Sequence, residues 1–395
     1  MTQSFYEFFC PVKLISGVAA LEHVPYELSV RSASKPLIIT DKGVRGAGLV
    51  DIALEAFAGG DLKVGAIYDD VPPDSSLDVV RRAAQLYRDK GCDSIIAIGG
   101  GSVIDTSKGV NILVSEGGDD LHQFSGAGNL KRPLKPFFVI PTTAGTGSEV
   151  TLVAVISDPE KGVKLPFTSH FLYPDAAIID PRMTLTLPPH ITAATAMDAM
   201  THAIEAFTCM GKNPMSDAYA LAAIKKISRN LIKVLDNPKD VAGRLELAEA
   251  STMAGVAFSN SMVGLVHSLG HSLGALCHLP HGVCMNLFLP YVLENNLDKI
   301  REPLAEILLA LAGPEVYAST PADVRAEVAI AKIRDLRDDL HKRCNLPRTL
   351  QETGKVEQSQ LEKLADMAIN DGSIIYNPSQ VSYEDALAVL KRAWG

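Results

Sequence analysis

Residues 92–109 read CDSIIAIGGGSVIDTSKG, and this stretch decides the fold. The run SIIAI has the β-branched, apolar composition of a strand that is buried on both faces. It ends directly in a glycine triplet, and a helical pattern over residues 103–115 follows. A strand that passes through a tight turn into a helix is the unit from which parallel α/β sheets are built.

The same alternation extends on both sides of this stretch. The patterns predict further strands at 34–41, 62–70 and 136–143, and helices near 46–58 and at 75–91. From Pro188 onward strand patterns are nearly absent, and Ala-rich helical patterns cover 191–207, 216–235, 243–260 and 324–344. We therefore predict a Rossmann-like α/β parallel-sheet domain over 1–186 and an all-α domain over 187–395. A ligand is expected in the cleft between them.

The glycine triplet has two interpretations. Gly99, Gly100 and Gly101 let the backbone approach a pyrophosphate closely, and the helix that begins near Ser102 and carries Asp105 offers free N–H groups to an anion. The alternative is a tight turn that binds nothing, because the G-x-G-x-x-G pattern of dinucleotide sites is missing.

A second polar loop follows the next predicted strand. Residues 141–149 read PTTAGTGSE, so Thr142, Thr143 and Thr146 would hydrogen-bond a nicotinamide or a phosphate at the same sheet edge. A loop of this composition is common, but two such loops after consecutive strands favour a phosphate-bearing cofactor.

The helical half contains a pattern typical of metal sites. Asp198 and His202 are four residues apart on a predicted helix and so share one face, with Glu205 one further turn along. Five of the ten histidines fall between positions 202 and 281, and they are His202, His267, His271, His278 and His281. A carboxylate with several imidazoles suits iron or zinc, whereas a single histidine would more simply be a hydrogen-bonded core residue.

Composition excludes several classes of protein. The net charge is −9, with no long basic run, which argues against nucleic acid or an anionic membrane as a partner. No signal peptide and no membrane-length apolar run is visible, and the six cysteines form no C-x-x-C pair. A soluble cytoplasmic protein is expected.

Four motifs in order resemble those of the iron-containing (group III) alcohol dehydrogenases across essentially the whole chain. They are GGGSVIDTSKG (99–109), PTTAGTGSEVT (141–151), AMDAMTHAIEAF (196–207) and GLVHSLGHSLGALCHLPHG (264–282). The resemblance implies a single divalent ion, Fe²⁺ with Zn²⁺ also possible, held by Asp198, His202, His267 and His281.

The resemblance also implies roles outside the ligand set. His271 is expected beside the metal as a proton relay. Asp41 matches a position that faces the adenosine ribose and favours NAD over NADP, and Lys164 one near the nicotinamide ribose. Phe258 matches a position that lines the substrate pocket, and with Val153 it suggests an apolar pocket.

The chain departs from the family's frequent pattern in two places. Residues 74–76 read Asp-Ser-Ser after a proline, where the family often has N-P-T, and residues 377–379 read Asn-Pro-Ser in place of N-P-R. The second change removes a cation from the loop near the C-terminus.

The expected function is NAD(H)-dependent and metal-dependent interconversion of primary alcohols or diols with aldehydes, by a homodimer or higher homo-oligomer. One alternative is a zinc-dependent, glycerol-type polyol dehydrogenase, for which fewer histidine ligands are expected. Another is a lyase similar to dehydroquinate synthase, which needs cations around an acidic substrate. Segments 194–210 and 262–284 contain no Lys or Arg, which argues against the lyase.

Overall fold

The computed structural model describes residues 5–58, 62–161 and 163–395. They form two compact units. The first is Cys10–Leu187, and the second combines residues 5–9 with Pro188–Gly395. The predicted fold class is confirmed: the first unit has a parallel sheet, and in the second the described regular elements are helices.

Six parallel strands form the main sheet of the first unit, in the order β1-β9-β6-β4-β2-β3. Their bounds are β1 Lys13–Ser16, β2 Pro36–Ile39, β3 Ala66–Tyr68, β4 Ser94–Gly99, β6 Phe137–Pro141 and β9 Ala176–Ile179. Short strands form a second sheet, with β5 Gly126–Ala127, β7 Val153–Asp158 and β8 Val163–Thr168.

Helices cover both faces of the main sheet, and the alternating side chains of the strands explain why. In β4, Ile95 packs into the apolar cluster beneath α4 (Leu77–Asp89) and α5 (Gly101–Glu116). Ile96 packs into the opposite cluster, beneath α1 (Val24–Val30) and α3 (Leu49–Phe57). Each fully buried aliphatic side chain stabilises the fold by about 1.5–3 kcal/mol. A short helix, α2 (Lys42–Gly46), follows β2.

The second unit is a bundle around one central helix. Helix α6 (Pro189–Thr208) is buried nearly all round, as expected for a helix in the middle of a core. The other helices are α7 Pro214–Asp236, α8 Val241–Ser259, α9 Leu265–Cys277, α10 His281–Ser319, α11 Arg325–Cys344, α12 Leu361–Ile369 and α13 Tyr383–Arg392. Helix α10 is interrupted at Gly313, where φ is +84°.

The structure differs from the sequence prediction in two respects. Residues 5–9 belong to the helical unit, although the sequence pattern assigned 1–186 to the first domain. They pack there because the Phe8 ring stacks on Tyr219 and the Phe9 amide donates a hydrogen bond to the Asn260 side chain. The sequence prediction did not include the strands β1, β5, β7, β8 and β9. None of the helices in the described chain combines the length and apolar character needed to span a bilayer.

Candidate metal centre

Four side chains that lie far apart in sequence converge inside the helical unit. Asp198 and His202 project from α6, His267 from α9, and His281 is the first residue of α10. One donor atom from each lies within 4.8 Å of the others. The structure therefore brings together the four residues that the resemblance implied as ligands.

Close packing of α10 on α6 places His281 at this cluster. A Cβ added to Gly282 would lie 2.3 Å from the carbonyl oxygen of Ala194, which is closer than any real side chain approaches. Only glycine lets the start of α10 contact the α6 backbone there. The Nε2 atom of His281 then lies 3.2 Å from Oδ1 of Asp198.

Three of the four donor atoms are buried and, among the described residues, lack hydrogen-bond partners. These atoms are Oδ1 of Asp198, Nδ1 of His202 and Nε2 of His267. Burial lowers the pKa of His202 to about 3 and also lowers the pKa of His267, so both imidazoles are neutral. Neutral imidazole is the form that ligates metals, and unpartnered buried polar atoms are costly unless something satisfies them. The donor set fits a first-row divalent ion such as iron or zinc.

Glu205 forms a contact that the sequence pattern did not reveal. Its Oε2 lies 2.5 Å from Nδ1 of His267, within hydrogen-bond distance, and its Oε1 accepts a hydrogen bond from the amide of Val266 at 2.7 Å. Burial raises the pKa of Glu205 to about 7, and the surrounding N–H donors oppose that rise. The only signal in the sequence was its position one turn beyond His202 on the same helix.

His271 lies beside the cluster but outside it. Its ring centroid is 5.8 Å from that of His267 and 5.4 Å from that of His281. Its Nδ1 lies 3.1 Å from Oδ2 of Asp371, a residue that the sequence did not single out. The His271 side chain is 43% exposed, so unlike His267 it reaches solvent.

The two predicted pocket residues lie in different units. Phe258, near the end of α8, stacks on the His202 ring with centroids 4.2 Å apart, so it borders the cluster directly. Val153 begins β7 in the first unit, and its carbonyl accepts a hydrogen bond from Lys108.

Most of the predicted cofactor residues lie along one edge of the main sheet. Strands β2, β4 and β6 are parallel neighbours, so the residues that follow their carboxyl ends share an edge, where α/β proteins bind ligands. Those residues are Asp41 after β2, Gly99, Gly100, Gly101 and Ser102 around the end of β4, and Thr142, Thr143 and Thr146 after β6. The amide of Thr142 donates to the carbonyl of Gly99, which joins two of the loops.

The three charged side chains among the predicted cofactor residues have defined structural contacts. Oδ1 of Asp41 accepts a hydrogen bond from the amide of Val44 and so caps α2. Asp105 accepts from the Ser148 hydroxyl and the Val155 amide, and thereby holds the segment after β6. Nζ of Lys164, in β8, lies 3.0 Å from Oδ1 of Asp74. Their contacts with a cofactor stay predictions.

The family models, the similar sequences and the similar structures all point to the same protein family. Residues 11–181 match the model described as iron-containing alcohol dehydrogenase, and residues 192–394 match its C-terminal counterpart. Alcohol dehydrogenase 4 of Saccharomyces cerevisiae is 34% identical, covering 98% of both chains. The NAD-dependent methanol dehydrogenase of Bacillus methanolicus is 35% identical, covering 98% of this chain and 99% of that one. A crystal structure of 1,3-propanediol oxidoreductase superposes with a TM-score of 0.94 at 35% identity, covering 99% and 100% of the two chains.

Proposed function

Because the chain belongs to the iron-containing alcohol dehydrogenase family, we propose that it interconverts short primary alcohols or diols with aldehydes, using NAD(H) and one divalent metal. Membership makes it an oxidoreductase of the alcohol dehydrogenase type. The observation that carries the proposal is the convergence of one carboxylate and three imidazoles within 4.8 Å.

The four converging residues would hold the metal. Asp198 would supply an anionic oxygen, and His202, His267 and His281 would supply imidazole nitrogens, a set that accepts iron and zinc alike. When bound, the metal acts as a Lewis acid on the substrate oxygen, and NAD(H) accepts or donates the hydride. Burial of Asp198, His202 and His267 keeps water from most of the donor atoms.

His271 is suited to move the proton that accompanies hydride transfer. Its Nδ1 faces the carboxylate of Asp371, which leaves Nε2 as the nitrogen that would exchange a proton with substrate or solvent. Histidine is the side chain that enzymes most often use as a general acid or base. Because the His271 side chain is partly exposed, the proton can pass from it to water.

The sheet edge of the first unit would hold the cofactor. The loop of Gly99, Gly100, Gly101 and Ser102 leads into α5, whose free N–H groups attract the pyrophosphate. The second loop, with Thr142, Thr143 and Thr146, offers hydroxyl groups to the nicotinamide half. Asp41 and Lys164 would contact the two riboses, with Asp41 favouring NAD over NADP.

The substrate class rests on the pocket residues and on the relatives. Phe258 lies against the His202 ring and presents an apolar surface beside the proposed metal, which favours short aliphatic chains. Two relatives carry names that specify methanol and 1,3-propanediol. From the family resemblance of the sequence motifs we expect at least a homodimer.

The decisive experiment combines metal analysis with a substrate panel. Protein purified anaerobically is analysed for iron and zinc, and then assayed with primary alcohols, 1,3-diols, glycerol and the matching aldehydes, each with NAD(H) and NADP(H). We expect one metal equivalent per chain and NAD-linked turnover of primary alcohols or diols. Turnover restricted to glycerol would favour the polyol dehydrogenase, and no alcohol turnover with any cofactor would reject the proposal.

A further inference from the structure

Glu205 joins the central helix of the bundle to the start of the helix that carries His267. Its side chain leaves α6 and is only about 5% exposed. Both carboxylate oxygens are engaged: Oε2 by Nδ1 of His267 at 2.5 Å, and Oε1 by the Val266 amide at 2.7 Å. One carboxylate thus holds the ring of His267 and the backbone that precedes it.

Helix α9 depends on side chains from elsewhere to satisfy its first N–H groups. Its N-cap is Gly264, which has no side chain to accept them. The Leu265 amide donates to Oδ1 of Asn377 at 3.2 Å, and the Val266 amide donates to Glu205. A Cβ on Gly264 would lie 2.9 Å from Oδ1 of Asn377 and 3.2 Å from Oε1 of Glu205, so glycine admits both acceptors.

We propose that Glu205 is the positioning residue that fixes the tautomer and the orientation of His267. By accepting the Nδ1–H, the carboxylate assigns the proton to Nδ1 and leaves the lone pair on Nε2. That Nε2 is buried and, within the described chain, has no hydrogen-bond partner, and it belongs to the four-residue cluster. A carboxylate behind a metal-ligating histidine raises the basicity of the imidazole and prevents rotation of the ring. The inference rests on the proposed role of His267 as a ligand.

Glutamine cannot replace Glu205 in this position. In the proposed arrangement both oxygens of Glu205 accept hydrogen bonds: one from the Val266 amide, which can only donate, and one from Nδ1 of His267. A glutamine has one acceptor and one donor, so it would lose either the Val266 amide or the Nδ1–H of His267. If the amide keeps the oxygen, the NH₂ group faces Nδ1 of His267 and forces the proton to Nε2, the nitrogen that faces the cluster.

Asn377 provides the matched control. Like Glu205 it is buried, comes from outside α9 and accepts one of the first N–H groups of that helix. Its other side-chain hydrogen bonds in the described chain are with Asn296 and Ser379, and none of them is with His267. Asn377→Ala therefore weakens the start of α9 without removing the acceptor behind the imidazole. If Glu205→Gln acted only by disturbing the start of α9, it should affect metal affinity and stability in the same way as Asn377→Ala.

The test measures metal affinity and stability separately in full-length protein. Wild type, Glu205→Gln and Asn377→Ala are freed of metal by chelation, titrated with Co²⁺ against a competing indicator, and melted without metal. We expect Glu205→Gln to weaken Co²⁺ binding by about 10- to 100-fold and to shift the visible absorption of the bound Co²⁺. Asn377→Ala should lower the melting temperature and leave Co²⁺ affinity close to wild type. Wild-type affinity in Glu205→Gln, or an equal loss in both variants, would overturn the proposal.

A measurement on the wild-type protein covers the case in which Glu205→Gln does not fold. In Zn²⁺-loaded protein with ¹⁵N-labelled histidine, the His267 ring should carry its proton on Nδ1, far downfield because the hydrogen bond is short. A proton on Nε2 instead would overturn the proposal. The same titration tests the proposed function separately. If His267→Ala still binds Co²⁺ normally, His267 is not a ligand. If His267→Ala loses Co²⁺ binding while Glu205→Gln keeps it, only the role of Glu205 is rejected.

Discussion

His271 and Asp371 are paired across 100 residues of sequence, with Nδ1 of the imidazole 3.1 Å from Oδ2 of the carboxylate. The other carboxylate oxygen of Asp371 accepts the Ser373 amide, which fixes the side chain at the start of a short helical turn. Burial opposes ionisation of Asp371, but the hydrogen bonds with His271 and Ser373 and the charge of the imidazole together outweigh it, and the pKa of Asp371 is lowered. The pair is built to hold one histidine ring in one orientation.

We expect His271→Ala to retain its metal while turnover falls on the order of 10²–10⁴-fold, as is typical when an acid–base group is lost. The reason is that His271 lies beside the cluster but outside the four donors. Metal content and kcat of the purified variant check both parts. Loss of the metal with an intact fold would mean that His271 is itself a ligand.

Asp371→Asn should lower turnover through His271. With its oxygen still accepting the Ser373 amide, the asparagine would turn an NH₂ group toward Nδ1 of His271 and impose the opposite tautomer. The loss in kcat should be smaller than that of His271→Ala, and the double variant should be no slower than His271→Ala alone. Additive losses in the double variant would show that Asp371 acts independently of His271.

We expect His267→Ala and His281→Ala to lose both the metal and turnover, because removing one donor from four opens the ion to water and chelators. His190→Ala is the control, since His190 is exposed on the first turn of α6 and outside the cluster. Metal content after dialysis and NAD-linked activity are the measurements. A full equivalent of metal with normal activity in either cluster variant would remove that residue from the ligand set.

Asp41 is expected to set the preference for NAD(H), because its carboxylate would repel a 2′-phosphate. The structure shows that the same side chain caps α2, so Asp41→Ala removes a cap worth about 1 kcal/mol as well as a charge. Asp41→Asn keeps a capping oxygen and loses only the charge. Both variants should raise kcat/KM for NADP(H) relative to NAD(H) by about tenfold, which corresponds to about 1.4 kcal/mol. An unchanged ratio in Asp41→Asn would leave Asp41 as a helix cap alone.

Lys108 is expected to stabilise the segment after β6 from within the core. Its fully buried Nζ donates to the carbonyls of Ser148, Thr151 and Val153 at 2.9, 2.9 and 2.7 Å. Lys108→Met leaves three acceptors without that donor, so the free energy of unfolding should fall by about 3 kcal/mol or more. Lys164→Met, which removes an exposed ion pair, should cost no more than about 1 kcal/mol in the same urea titration. An equal loss of unfolding free energy in the two variants would show that the buried ammonium of Lys108 does not stabilise this segment.

Local patterns were enough to predict the α/β unit, its glycine-rich turn and the helical unit. β-Branched runs and the helical period depend on neighbouring residues, so the strand at SIIAI and the helix that bears Asp198 and His202 could be recognised directly. The spacing of four residues also placed these two side chains on one face. Strand β1 was not predicted because it lies at the edge of the sheet with mostly exposed residues, so it lacks the apolar run of a buried strand.

The sequence by itself determined the family, the fold class and the residues that could serve as metal donors, because these follow from motifs and short-range periodicity. Only the tertiary structure decided which groups stand behind the donors. Glu205 meets His267 across 62 positions and Asp371 meets His271 across 100. Such contacts depend on how α6, α9 and the segment around Asp371 pack together. Packing between segments that are distant in sequence produces no periodic pattern of residues from which it could be predicted. The histidines could therefore be read from the sequence, but the carboxylates that orient them could not.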